Sequence, residues 1–111
     1  MNNQQLAETF SAIGDILEIQ GEVIYKFLAY RRAAQSLADL GRDVNDLWRE
    51  GKLREIPGVG EAIAEKIDEL LRTGKLEFYE KLKKQVPTGV VELLKVDGVG
   101  PKKAATFWNK V

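Results

Sequence analysis

Leu53-Arg54-Glu55-Ile56-Pro57-Gly58-Val59-Gly60-Glu61 decides the reading of this 111-residue chain, and Leu93-Leu94-Lys95-Val96-Asp97-Gly98-Val99-Gly100-Pro101 repeats it 40 positions later. Each unit sets an apolar residue (Ile56, Val96) before a Gly-Val-Gly turn, and each lies between two stretches of helical periodicity. The glycines permit positive φ, and the missing Cβ lets a ligand come close to the backbone. The amides of the turn and of the next helix's first turn lack intrahelical acceptors, so they are free for phosphate oxygens. The helix dipole adds partial positive charge there. Val59 and Val99 are expected to point inward and pin the turns. Such a pair grips a sugar-phosphate backbone without reading bases. One Gly-x-Gly is as readily a plain turn between helices; two copies in matching context favour the phosphate clamp.

Outward from the turns, the periodicity predicts helices throughout. Leu6, Phe10, Ile13 and Leu17 give a helix over about 3–20, broken at Gly21. Val23, Phe27, Tyr30, Ala34 and Leu37 give another over about 22–40, with Gly41 as its C-cap. Asp43 caps a short helix with Val44, Leu47 and Trp48, ended by Gly51. A helix over about 61–73 carries Ile63, Ile67, Leu70 and Leu71 and closes at Gly74; one over about 76–85 carries Leu76, Tyr79 and Leu82, with Lys81, Lys83 and Lys84 forming a basic face. Pro87 stops it, a short helix over about 89–95 follows, and Pro101 starts a last one. The fold class is therefore all-α, a small helical bundle with two helix-hairpin-helix motifs.

The charge balance is neutral, 17 basic against 17 acidic residues, which counts against a DNA binder relying on bulk charge. The distribution is uneven. Residues 1–24 hold Glu8, Asp15, Glu18 and Glu22 and no basic residue, whereas residues 81–111 hold seven lysines against Glu92 and Asp97. Backbone donors escape the charge count, so a neutral chain can still hold a polyanion. No cysteine or histidine occurs, which excludes disulfides, thiolate metal sites and histidine acid–base chemistry. The polar N-terminus and the lack of a long apolar run predict no membrane association, and the composition fits an intracellular compartment.

Over nearly the whole chain the motifs resemble a known family. Ala29-Tyr30-Arg31-Arg32-Ala33-Ala34, Ile56-Pro57-Gly58-Val59-Gly60, Ile63-Ala64-Glu65-Lys66-Ile67 and Thr73-Gly74-Lys75-Leu76 look like the N-terminal region of the family X, polymerase-β-like DNA polymerases. Val96-Asp97-Gly98-Val99-Gly100-Pro101 resembles that family's second hairpin. The resemblance implies a polymerase-β N-terminal-domain-like fold: a lyase-like domain over 1–86 and the start of the following subdomain over 87–111, hinged near Pro87–Gly89. It implies a prokaryotic, cytoplasmic, nucleoid-associated repair enzyme gripping the 5′-phosphate side of gapped or nicked double-stranded DNA. The catalytic palm, with Mg²⁺ and dNTP, would lie in the rest of the polymerase chain beyond Val111.

The resemblance also assigns residues. Lys26 would bind the 5′-phosphate and Tyr30 form its pocket, with Gly58, Val59, Gly60, Gly98, Val99 and Gly100 as the clamps and Lys102 and Lys103 as further phosphate contacts. The carbonyls of Arg54, Ile56 and Val59, and of Leu94, Val96 and Val99, would hold potassium or sodium; no other cofactor is implied for this portion. Lys66 matches the lysine that attacks C1′ of an abasic sugar, forming a Schiff base that leads to β-elimination. That step needs a neutral amine. Lys66 sits about 60° round the helix from Ile63 and about 40° from Leu70, at the edge of the apolar stripe, where a snorkelling lysine is equally at home. Two departures weaken the lyase expectation: Ala62 stands where lyase members carry a lysine, and Tyr25 replaces a histidine beside the bound sugar-phosphate. Arg31 falls near the apolar stripe and is expected to be structural, satisfied by a carboxylate or carbonyl. The alternative reading is a double-hairpin DNA-binding module of another repair protein with no catalytic role.

Overall fold

A computed structural model describes residues 1–85. The second hairpin with Leu94, Val96, Gly98, Val99, Gly100, Lys102 and Lys103, the two C-terminal helices and the domain division near residue 87 all lie outside the described residues. Within them are five α-helices and no strand: α1 (Asn3–Ile19), α2 (Ile24–Ala38), α3 (Val44–Arg49), α4 (Glu61–Thr73) and α5 (Glu77–Gln85). A single 3-10 turn, Leu53–Glu55, stands before the hairpin.

The helix α1 begins with a reciprocal cap. The Asn2 side chain accepts from the Gln5 amide at 2.8 Å, and the Gln5 side chain accepts from the Asn2 amide at 2.9 Å. Its other end turns through Gly21 at φ +77°, where the Gly21 and Glu22 amides donate back to the Glu18 and Leu17 carbonyls. This tight reversal lays α2 along α1, the most extensive helix packing among the described residues. Leu6, Phe10, Ile13 and Ile16 of α1 meet Phe27, Ala33 and Leu37 of α2 in the core.

The predicted boundaries need correction at α2. Val23 is not part of its buried stripe: it is the extended residue before the helix and is 48% exposed. Gly41 is not the C-cap either. The helix stops at Ala38, Asp39 caps it through its amide to Gln35, and Leu40 then packs on the core. The other signals hold: the Asp43 side chain accepts from the Asn45 amide at 2.9 Å, and α4 buries Ile63, Ile67 and Leu70 before closing at Gly74.

Side-chain bonds fasten the later elements to this pair. Asn3 donates to the Arg42 carbonyl at 2.7 Å and accepts from the Val44 amide at 2.8 Å, tying α3 to the start of α1. The Trp48 indole donates to Asp68 at 2.8 Å, joining α3 to α4 and holding the Asp68 carboxyl below the usual carboxylate range. Glu69 accepts from the Glu77 amide at 2.8 Å and so caps α5 from α4.

Arg31 is structural, as its place beside the stripe suggests. Its guanidinium donates to Asp15 at 3.0 Å and Glu18 at 2.8 Å, bridging α2 to α1, and lies 5.0 Å from the Phe27 ring centroid. Burial pushes the Asp15 carboxyl up, only partly offset by Arg31. A carboxyl raised in the folded state favours folding below its ordinary pKa and loses that contribution as pH rises through the folded value. At pH 7, Asp15→Asn is thus expected to leave the melting temperature unchanged or higher. Arg31→Ala should cost about 1–2 kcal/mol in urea denaturation by stranding two half-buried carboxylates.

Candidate nucleic-acid interface

The hairpin is seated by its apolar residues. Ile56 and Val59 are buried, and the Val59 amide donates to the Ile56 carbonyl at 3.0 Å to close the turn over Pro57 and Gly58. Gly58 has φ +79°, and a Cβ placed on it would lie 3.4 Å from the Arg32 Cβ of α2. A left-handed backbone and a close approach to α2 therefore coincide at one residue. Gly60 differs from Gly58. Its φ is −89°, in reach of any residue, and a Cβ there would meet nothing within 4 Å. Its contribution is an N-cap of α4 with no side chain to block the approach. No side chain caps α4, and the amides of Glu61, Ala62 and Ile63 have no acceptor among the described residues.

The residues that carry these amides line a cleft of about 830 Å³, together with residues of α2, the hairpin and α5. From α2 come Tyr25, Lys26 and Tyr30; from the hairpin, Gly58 and Gly60. Lys26 is on the rim, its ammonium 3.2 Å from Glu22 one turn earlier. Tyr25 is 71% exposed at the mouth. Tyr30 is half-buried between the Phe10 and Phe78 rings, with centroids 6.1 and 5.9 Å away, and burial pushes its hydroxyl pKa up. Ala62, exposed, also lines the cleft, so the position lacking a lysine is a position on this surface.

Lys66 is placed differently. It is half-buried on α4 and does not line the cleft; its ammonium lies 5.0 Å from the centroid of Phe78, whose ring does. The ring's negative face attracts the ammonium and anchors it beside the wall. Phe78 is the residue that sequence reasoning missed. Its neighbour Tyr79 fits the helical spacing of Leu76 and Leu82 equally well, and only the position of Tyr30 shows which ring closes the cleft.

Arg54 belongs to the 3-10 turn before the hairpin, Ile56 follows that turn, and Val59 lies between the two glycines. Among the described residues, no cluster of His, Cys, Asp or Glu could hold a metal ion through side chains. No described helix is long and apolar enough to cross a membrane.

Short helices around a buried Gly-Val-Gly turn, with bare amides at the next helix, define a helix-hairpin-helix protein. The chain belongs to the helix-hairpin-helix domain family, which matches residues 1–76. Its similarity to DNA polymerases is explicit in two curated relatives. It is 29% identical over 111 residues to the DNA polymerase/3'-5' exonuclease PolX of Bacillus subtilis, covering 100% of this chain and 19% of that protein. It is 28% identical over 109 residues to DNA polymerase lambda of Rattus norvegicus, covering 97% of this chain and 18% of that protein. The chain thus spans about a fifth of the length of these relatives, and the resemblance to family X polymerases rests on homology as well as on motifs.

The two glycines make a clear contrast by substitution. Gly58→Ala should destabilise the fold by about 1–2 kcal/mol, the cost of a left-handed non-glycine residue. Gly60→Ala, on extended backbone in open space, should cost less, and thermal denaturation of the two variants side by side measures the difference.

Proposed function

We propose that this chain is the portion of a DNA repair polymerase that grips the sugar-phosphate backbone on the 5′-phosphate side of gapped or nicked double-stranded DNA, independent of base sequence. The observation that carries this reading is that the α4 residues with unpaired amides line the same cleft as Lys26 and Tyr30. Amides at a helix start suit phosphate oxygens, the family is a helix-hairpin-helix family, and both relatives are DNA polymerases. Polymerisation belongs in this reading to the longer chain with its palm, Mg²⁺ and dNTP.

A potassium or sodium ion at the hairpin is part of the proposal. The carbonyls of Arg54 and Val59 accept no hydrogen bond among the described residues, and that of Ile56 accepts one, so free oxygen lone pairs remain. Bound there, the ion would supply positive charge beside a phosphate.

Fluorescence anisotropy with a labelled gapped duplex tests the binding. Affinity should fall with salt by about 0.9 log unit per log unit for each phosphate neutralised by a lysine or arginine. Gly58→Val should weaken binding more than Lys26→Ala. No affinity at low salt for gapped, nicked or intact duplex would overturn the reading.

The finer reading, a 5′-deoxyribose-phosphate lyase, rests on the resemblance of Lys66 to the family's attacking lysine; the Phe78 ring beside it favours the charged ammonium over the neutral amine that attack requires. In that step the amine attacks C1′ of the ring-opened sugar and water leaves to give an imine. Loss of a C2′ proton then breaks the C3′–O bond. The geometry supports binding better than this chemistry, because Ala62 supplies no cation beside the nucleophile. Borohydride trapping on an incised abasic duplex decides it: a covalent adduct that Lys66→Ala abolishes is the expected result, and its absence from the unaltered chain removes lyase activity while leaving the clamp standing.

A further inference from the structure

The amino end of α4 carries a built-in anion. Glu61 is the first residue of the helix, directly after Gly60, and it is exposed and lines the same cleft as Lys26 and Gly58. None of the ion pairs among the described residues includes it. The amides that follow, of Ala62 and Ile63, are bare. A carboxylate in a first turn interacts favourably with the helix dipole, so Glu61 supports the helix by the same field that would attract a phosphate. Two anions then share one positive end. The cleft offers Lys26 as a cation, and that side chain is itself engaged with Glu22.

We infer that Glu61 is an affinity-setting residue of the hairpin, holding its grip on DNA phosphate weaker than the bare amides would give. The inference rests on the DNA-binding reading above and adds to it a residue that opposes binding. Its physical basis is repulsion between like charges a few ångströms apart at a partly exposed site, which is screened by salt. The functional consequence is a clamp that releases readily. A phosphate held by amides alone would be bound alike on any stretch of duplex, whereas a clamp opposed by its own carboxylate depends on further contacts at the DNA end, Lys26 among them.

The test is equilibrium binding to a 5′-phosphorylated gapped duplex at low salt, comparing the unaltered chain with Glu61→Gln and Glu65→Gln. Glu65 is exposed one turn further along α4 and does not line the cleft. Glu61→Gln should tighten binding by about three- to tenfold, and Glu65→Gln by under about twofold, because Glu65 lies one turn further from the amides and outside the cleft. The advantage of Glu61→Gln should shrink as salt is raised. Glu61→Ser serves as a second variant and should show the same gain, with helix content checked by circular dichroism. Equal gains at both positions would reduce the effect to overall charge, and no gain at Glu61 would overturn the inference while the DNA-binding reading stands. If neither the unaltered chain nor the variants bind, the reading itself fails and the inference falls with it.

Discussion

Three aromatic rings in a row hold this molecule's working parts in register. Phe10 of α1 is fully buried, Tyr30 of α2 stacks on it, and Phe78 of α5 stacks on Tyr30. Lys66 of α4 closes the series with its ammonium over Phe78. The series thus links four helices from distant parts of the chain, and Tyr30 within it is both packed on the core and a cleft wall. Aromatic contacts of this kind add about 0.5–1.5 kcal/mol each beyond area burial. Their larger effect is positional. The α1–α2 packing fixes Tyr30, Tyr30 places Phe78, and Phe78 sets how α5 borders the cleft.

The second constraint is backbone chemistry at the hairpin. Gly58 lies against α2 where a side chain would be strained, so the turn is held at fixed distance from Lys26 and Tyr30. The chain then enters α4 through Gly60 with no capping side chain, a departure from the capping seen at Asn2 and Asp43. Helices usually satisfy such amides locally. The α2 start, at Val23, likewise has no side-chain cap; both uncapped ends border the cleft, and at α4 the first residue is a carboxylate. A protein of zero net charge thereby arranges opposite local fields within one turn of helix.

Much of this was legible in the sequence. Helical periodicity placed the five helices of the described residues, Asp43 was recognisable as a cap, and Ile56 and Val59 could be assigned to the core from the hairpin pattern alone. Arg31 could be named structural because a guanidinium beside an apolar stripe must find a partner. That the partners would be Asp15 and Glu18 depends on the register of α1 against α2, which no local pattern encodes. The end of α2 was misplaced because Gly41 is a strong stop signal, whereas the chain actually turns at Asp39 so that Leu40 can reach the core. Gly60 could have taken the positive φ that glycine permits, as Gly58 does, but the turn consumes only one such residue. The cleft itself was the least legible feature. It is assembled by Phe78 and Tyr30 from helices nearly fifty residues apart, and the spacing within α5 does not choose between Phe78 and Tyr79.

The bond from Trp48 to Asp68 gives the molecule an intrinsic optical probe. An indole whose N–H is held by a carboxylate across an α3–α4 contact is sensitive to separation of those helices. Trp108 is the only other tryptophan in the chain, so replacing it isolates Trp48 emission as a label-free signal from the element that backs the hairpin. Docking of α3 on α4 can therefore be followed in its emission spectrum, without a dye attached to the protein.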